Sequence, residues 1–130
     1  RKFQLDIITP TSIHSYEDIT YLRIPSLDGL TGIQARHATS IIGLGVGEVK
    51  ITIDNKEKIF STSGGFADIK QESVQLLLET IESQKDIDSK RAESALERAK
   101  RRIKDTSMDP KRAELALFKA INRLKILKKK

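Results

Sequence analysis

Two stretches close together in the chain, Val74-Gln75-Leu76-Leu77-Leu78-Glu79-Thr80 and Ala92-Glu93-Ser94-Ala95-Leu96-Glu97-Arg98-Ala99, decide the fold. In the first, Val74, Leu76 and Leu78 recur at every second residue, the spacing that puts side chains on one face of a strand. In the second, Ala92, Ala95, Leu96 and Ala99, with Ile103 beyond, recur at spacings of three and four, one stripe along a helix. The change of period falls near Asp86. Toward the N-terminus, Phe3, Leu5 and Ile7 alternate with polar neighbours until Thr9-Pro10, as do Leu22 with Ile24, and Val49, Ile51 and Ile53. Turn signals separate these runs: Ser26 to Gly32, Gly43 to Gly47, Asp54-Asn55-Lys56, Ser63-Gly64-Gly65 and Lys70 to Ser73. Asp54-Asn55, between two alternating runs, predicts a hairpin. The spacing of strands and turns predicts an N-terminal antiparallel β-sandwich or barrel over residues 1–84.

Toward the C-terminus, Ala113, Ala116, Leu117, Ala120, Ile121 and Leu124 form a second helical stripe, separated from the first by Asp105 to Pro110. Asp109 suits an N-cap and Pro110 the first helical turn, where a missing N–H costs nothing. Asp86 or Asp88 suits the cap of the first helix. Residues 85–130 are therefore expected to form an antiparallel two-helix hairpin, and the whole chain an α+β fold. Leu96, Ile103, Leu117, Ile121 and Leu124 would each contribute roughly 1.5–3 kcal/mol if fully buried, and the alanines less. A clasp this modest can be balanced against docking elsewhere, as in a switch.

Composition narrows the function. The 130 residues leave room for one domain and an appendage. Aromatics are 5% and Trp is absent, so the core must rest on Ile, Leu, Val and Ala. The absence of cysteine removes disulfides, thiolate nucleophiles and Cys-based metal sites, and fits a reducing compartment. No apolar run approaches the ~20 residues that span a bilayer, and Arg1 to Asp6 has no signal-peptide core. The chain reads as soluble and cytoplasmic, reaching a membrane only through a partner. Residues 1–85 carry 9 Lys/Arg against 11 Asp/Glu, and residues 86–130 carry 15 against 7. The net charge of +6 therefore comes wholly from the helical part.

Several stretches, in order along nearly the whole chain, carry a resemblance. They are Phe3-Gln4-Leu5-Asp6-Ile7-Ile8-Thr9-Pro10, Gly29-Leu30-Thr31-Gly32-Ile33 followed by His37, Ser63-Gly64-Gly65-Phe66, and Arg112-Ala113-Glu114-Leu115-Ala116-Leu117 running on to Asn122-Arg123-Leu124. Together they resemble the epsilon subunits of F-type ATP synthases. Ala35 and Thr39 stand where members often carry prolines beside the loop histidine. The resemblance implies a non-catalytic subunit of the rotor that helps couple proton transport to ATP synthesis. It implies a β-domain bound to the central-stalk gamma subunit and the membrane c-ring. It also implies a helical hairpin that either folds against the β-domain or extends into the catalytic alpha/beta head and inhibits ATP hydrolysis. The expected location is peripheral, on the cytoplasmic face of a bacterial plasma membrane.

Ile87-Asp88-Ser89-Lys90-Arg91-Ala92 is similar to that family's ATP-binding signature. The resemblance implies nucleotide contacts at Glu82, Asp88, Arg91, Ala92, Arg98 and Arg123, with ATP as a regulatory ligand that is not hydrolysed; magnesium is left open. Lys119 stands where ATP-binding members carry arginine, so it keeps the charge and loses the two-pronged geometry. The spacing agrees: Asp88, Arg91 and Arg98 fall near one side of the first helix, and Lys119 and Arg123 are one turn apart on the second. Glu82 and Asp88 can accept hydrogen bonds from adenine or ribose.

Other classes fit less well. No Gly-x-x-x-x-Gly-Lys-Ser/Thr loop is present, so an ATPase is not expected. His14 and His37 have no metal-ligand spacing, and Gly43-Leu44-Gly45-Val46-Gly47 reads as a turn between strands. Nucleic-acid binding is the alternative, through Lys100-Arg101-Arg102 and Lys128-Lys129-Lys130. Against it, the β-half is acidic and poor in the aromatics on which bases stack. Insertion into a membrane surface is disfavoured because the helices' apolar faces are mostly alanine, with Phe118 the sole aromatic.

Overall fold

The computed structural model describes residues 2–84, 87, 89–104 and 110–128. Among the described residues, ten strands precede two helices: β1 (Phe3–Ile8), β2 (Ile13–Ile19), β3 (Tyr21–Ser26), β4 (Gly29–Ile33), β5 (Ser40–Leu44), β6 (Gly47–Ile53), β7 (Lys56–Thr62), β8 (Gly65–Ile69), β9 (Ser73–Leu78), β10 (Ile81–Ser83), α1 (Ser89–Lys104) and α2 (Pro110–Leu127). The helix α2 begins at Pro110, as its fixed φ favours. The expected caps Asp86, Asp88 and Asp109, the break from Asp105, the terminal Lys129 and Lys130, and the side chains of Arg102 and Ile103 lie outside the described residues.

The strands form one hydrogen-bonded sheet in the order β10-β7-β6-β3-β5-β8-β9-β1-β2, with β4 joined to β3. It folds over on itself so that β2 lies against β6, and Thr20 N donates to Thr52 O at 3.0 Å. The enclosed core is built from the alternating residues: Leu5, Ile7, Leu22, Ile24, Val49, Ile51, Val74 and Leu76 are almost completely buried. The hairpin at Asp54-Asn55 is a two-residue turn between β6 and β7. Both residues have positive φ (52° and 62°), the twist that hairpin loops of this length require.

Two features depart from the sequence expectation, whereas the Ser63-Gly64-Gly65 junction falls between β7 and β8 as expected. The pair β1–β9 is parallel, whereas the other pairings are antiparallel. Of the segment from Ser26 to Gly32, expected as a turn, Gly29 to Gly32 belong to strand β4, and the turn shrinks to Leu27 and Asp28. At Ser63-Gly64-Gly65, Gly64 and Gly65 have φ of 120° and 149°, and a Cβ on Gly65 would collide with the Leu77 carbonyl oxygen. Gly65 is thus a steric requirement of the β8–β9 approach, and a Cβ on Gly64 would press on the Leu44 carbonyl oxygen of β5.

In the hairpin, α1 packs on α2, and α2 rests on β6 and β7. The fully buried residues of the seam are Ala92, Ala99, Ala113 and Ala120. Leu96, Leu117, Ile121 and Leu124, expected as the buried stripe, are only half-buried, because close helix approach puts the small residues at the centre. Ile126, outside the expected stripe, is 1% exposed. It belongs to a second face of α2, turned toward the β-domain, where it meets Ile87, Ala92 and Ile59.

Candidate functional site

Of the residues expected to contact nucleotide, Glu82, Lys119 and Arg123 come together. Glu82 is the middle residue of β10, which runs beside the end of β7. Lys119 and Arg123 stand one turn apart on the face of α2 that meets the β-domain. Arg123 Nη2 donates to Glu82 Oε2 at 2.6 Å in a half-buried ion pair. Its Nε is sealed from water and has no partner among the described residues. Lys119 has no ion-pair partner among the described residues.

These three side chains line a cavity of about 180 Å³, whose remaining wall is the hydroxyl-bearing end of β7 with Thr80. Thr62 Oγ1 donates to Thr80 O at 2.8 Å and Thr80 Oγ1 to Ser63 Oγ at 2.7 Å, so the β-side wall is held rigidly. The cavity therefore offers two cations and hydroxyls against one carboxylate. It is smaller than the ~300 Å³ at which pockets for whole drug-sized molecules begin, so it can hold one end of a nucleotide.

The other candidates lie elsewhere. Ala92 is buried in the helix seam. Arg91 and Arg98 are exposed on α1, and Arg98 lines a separate shallow cleft with Glu97 and Arg101. Asp88 lies outside the described residues. The seven are thus not gathered into one closed pocket.

The loop residue His37 is half-buried. Its ring stands edge-on to Phe3 at 5.6 Å, and both ring nitrogens are buried without a partner among the described residues. Burial pushes its pKa below the ordinary histidine value, the nearness of its own backbone opposing this in part.

Sequence reasoning did not locate a second surface. On the outer face of the sheet, Ile13 pairs with Ile8, Ile8 with Leu77, Leu77 with Phe66 and Phe66 with Gly43. A Cβ on Gly43 would lie 2.9 Å from Leu27 Cδ1, so Leu27 covers the glycine. The result is an apolar row across five strands, in which Ile13, Leu77, Phe66 and Leu27 are 71%, 45%, 58% and 74% exposed. Ile41, two residues before Gly43, is also exposed. Scattered exposed leucines are ordinary, but a contiguous row of this kind marks an interaction surface.

Comparison with known proteins agrees with both halves. Residues 2–84 match the family model for the ATP synthase delta/epsilon chain, β-sandwich domain, and residues 85–128 match its long α-helix domain. The ATP synthase epsilon chain of Carboxydothermus hydrogenoformans is 35% identical over 102 residues, covering 78% of this chain and 76% of that one. That of Desulforamulus reducens is 38% identical over 100 residues, covering 77% and 76%. Among solved structures, a chain of the Euglena gracilis mitochondrial ATP synthase shares the fold with a TM-score of 0.85 at 20% identity, covering 97% of this chain and 81% of that one. A chain of the Tetrahymena thermophila mitochondrial ATP synthase, in a structure of its central stalk and c-ring, does so less fully, with a TM-score of 0.57 at 16% identity over 67% and 70%. With both halves matched in order by the two domains of a single family, the chain belongs to the epsilon chains of the F-type ATP synthase.

Proposed function

We propose that this subunit rides on the rotor through its β-domain and regulates hydrolysis through its hairpin, with ATP holding the hairpin folded. The observation that carries the nucleotide reading is the meeting of Glu82, Lys119 and Arg123 at the junction of α2 with the β-domain. A ligand bound there touches both halves at once, so its binding free energy favours the folded state. The phosphates take the cationic wall, and Glu82 accepts from the base or ribose. Arg91 and Arg98, which the resemblance also assigns to the phosphates, stand exposed on α1 and do not line this cavity. ATP is a ligand here, not a substrate, and no catalytic role is assigned to the chain.

When the ligand leaves, the folded clasp weakens, and the basic hairpin extends toward an acidic surface of the catalytic alpha/beta head. The outer apolar row is the surface by which the β-domain docks on the gamma subunit, above the c-ring. Two things support this placement: the row is contiguous and exposed, and the solved chains sharing the fold come from structures that include a c-ring. The subunit is then peripheral to the cytoplasmic face of the membrane that holds the ring.

Calorimetric titration with ATP, with ADP and GTP as controls, tests the nucleotide reading. Saturable one-to-one binding that prefers ATP is expected, at an affinity between roughly micromolar and millimolar. Arg123→Ala is expected to weaken it by at least about tenfold, one charge-assisted hydrogen bond being worth about 1.5–3 kcal/mol. Unchanged affinity in that variant would place the phosphates elsewhere. For docking, Phe66→Asp is expected to abolish co-purification with the cognate stalk while leaving the isolated chain folded; retention on the stalk would rule the row out.

A further inference from the structure

The second helix is held to the β-domain by bonds that need no ligand. Asn122 Nδ2 donates to Gly47 O at 2.8 Å and to Ser61 Oγ at 3.0 Å. Gly47 opens β6 and pairs with Thr62, next to Ser61 near the end of β7, so one side-chain amide bridges two neighbouring strands. Ser61 is 5% exposed, which removes water as an easy substitute partner. One turn further along α2, the carbonyl of Ile126 accepts from Gln84 Nε2 at 2.8 Å. Asn122 and Ile126 share the face of α2 that meets the β-domain.

Helix chemistry gives no reason for an asparagine here. Its propensity is below that of alanine, and its side chain competes with the helix's own hydrogen bonds. Both contacts of the Asn122 amide go across to the sheet. The residue also lies directly before Arg123 and three positions after Lys119, so the bridge to β6 and β7 fixes the height and rotation of α2 that set those two cations over the cavity.

We infer that Asn122 is a nucleotide-independent lock that seats α2 on β6 and β7, and that it is the positioning residue for Lys119 and Arg123. The first half stands on the hydrogen bonds alone; the second rests on the nucleotide reading above. ATP then adds to a contact already made, and α2 must lose the Asn122 bridge before the hairpin can extend.

The absence of cysteine allows a clean test on the full chain. Spin labels at Lys56→Cys and Lys125→Cys report the distance between the β-domain and α2, without nucleotide. The parent chain is expected to show one short distance. Asn122→Ala is expected to raise the ratio of open to closed molecules roughly tenfold, and Ser61→Ala roughly threefold. Helix content by circular dichroism should not fall in Asn122→Ala, because alanine favours the helix. The double variant Ser61→Ala with Asn122→Ala should open no further than Asn122→Ala alone, as expected for two residues sharing one bond. ATP affinity of Asn122→Ala should drop by more than the factor by which the closed population drops, because Lys119 and Arg123 are also displaced in the molecules that stay closed.

An open parent chain without nucleotide, an unchanged distance distribution in Asn122→Ala, or additive effects of the two substitutions would each overturn the lock. An affinity loss in Asn122→Ala no larger than the fall in closed population would overturn the positioning role. Failure of the parent chain to bind ATP would sink the nucleotide reading, and the positioning role with it, while the distance measurement still decides the lock.

Discussion

The β-domain and the hairpin exclude water with opposite materials. In the β-domain the buried positions are large and branched, and Leu5, Ile7, Leu22, Ile24, Val49 and Ile51 come from strands far apart in sequence. In the helix seam the buried positions are Ala92, Ala99, Ala113 and Ala120, with leucines only half covered beside them. Each core residue of the first kind contributes about 1.5–3 kcal/mol, and an alanine, with one methyl, a fraction of that. One region is therefore built to stay closed under load. The other is closed by a small margin that a ligand or a few hydrogen bonds can decide.

The strongest way to break this contrast is in the sheet. Leu22 is fully buried and pairs with Ile33 and Ile51. Leu22→Ala is expected to lower stability by about 2–5 kcal/mol in denaturant unfolding and to loosen the hairpin's footing with it. A loss below 1 kcal/mol would mean that the core is less tightly packed than its burial indicates. In the seam, Ala99→Leu overfills a close helix approach at a cost of about 1–3 kcal/mol. That cost is expected to fall on the hairpin alone: hydrogen exchange should quicken in α1 and α2 and stay unchanged in β3 and β6. Equal quickening in both regions would show that they unfold as one unit.

The smallest expected effect is at His37. Its folded pKa is depressed, so the unfolded chain binds the proton more readily. Stability is therefore full above the unfolded value of about 6.5 and is lost as pH falls through the folded value. Relative to His37→Leu, the parent chain should lose stability as pH falls below about 6.5. Parallel pH profiles for the two chains would remove the histidine from consideration.

The strands with one buried face were legible because alternation survives in them, as in Val49, Ile51 and Ile53. Strand β2 was not: of its seven residues only Ile19 is buried, and the β1–β2 register shift, beside Asp18 with φ of 62°, breaks the period. The parallel pairing of β1 with β9 joins segments at opposite ends of the β-domain, which no local pattern encodes. For the site, the resemblance and the helical spacing both grouped Arg91 and Arg98 with Glu82, Lys119 and Arg123; the fold gathers only the last three into one cavity, and Arg98 lines another cleft. The partners of Asn122 depend on how α2 is set against β6 and β7. The outer apolar row depends on the register of five strands. Both are properties of the assembled sheet, invisible in any one segment.

That same parallel pairing carries a consequence for synthesis. β1 finds its β9 neighbour only after residues 73–78 have left the ribosome. At about 5–20 residues per second, the first strand waits several seconds beside β2, its apolar face uncovered. The hairpin emerges last, onto a platform that β9 and β10 have just completed. The order in which the chain is made therefore finishes the β-domain before the helices have anything to grip.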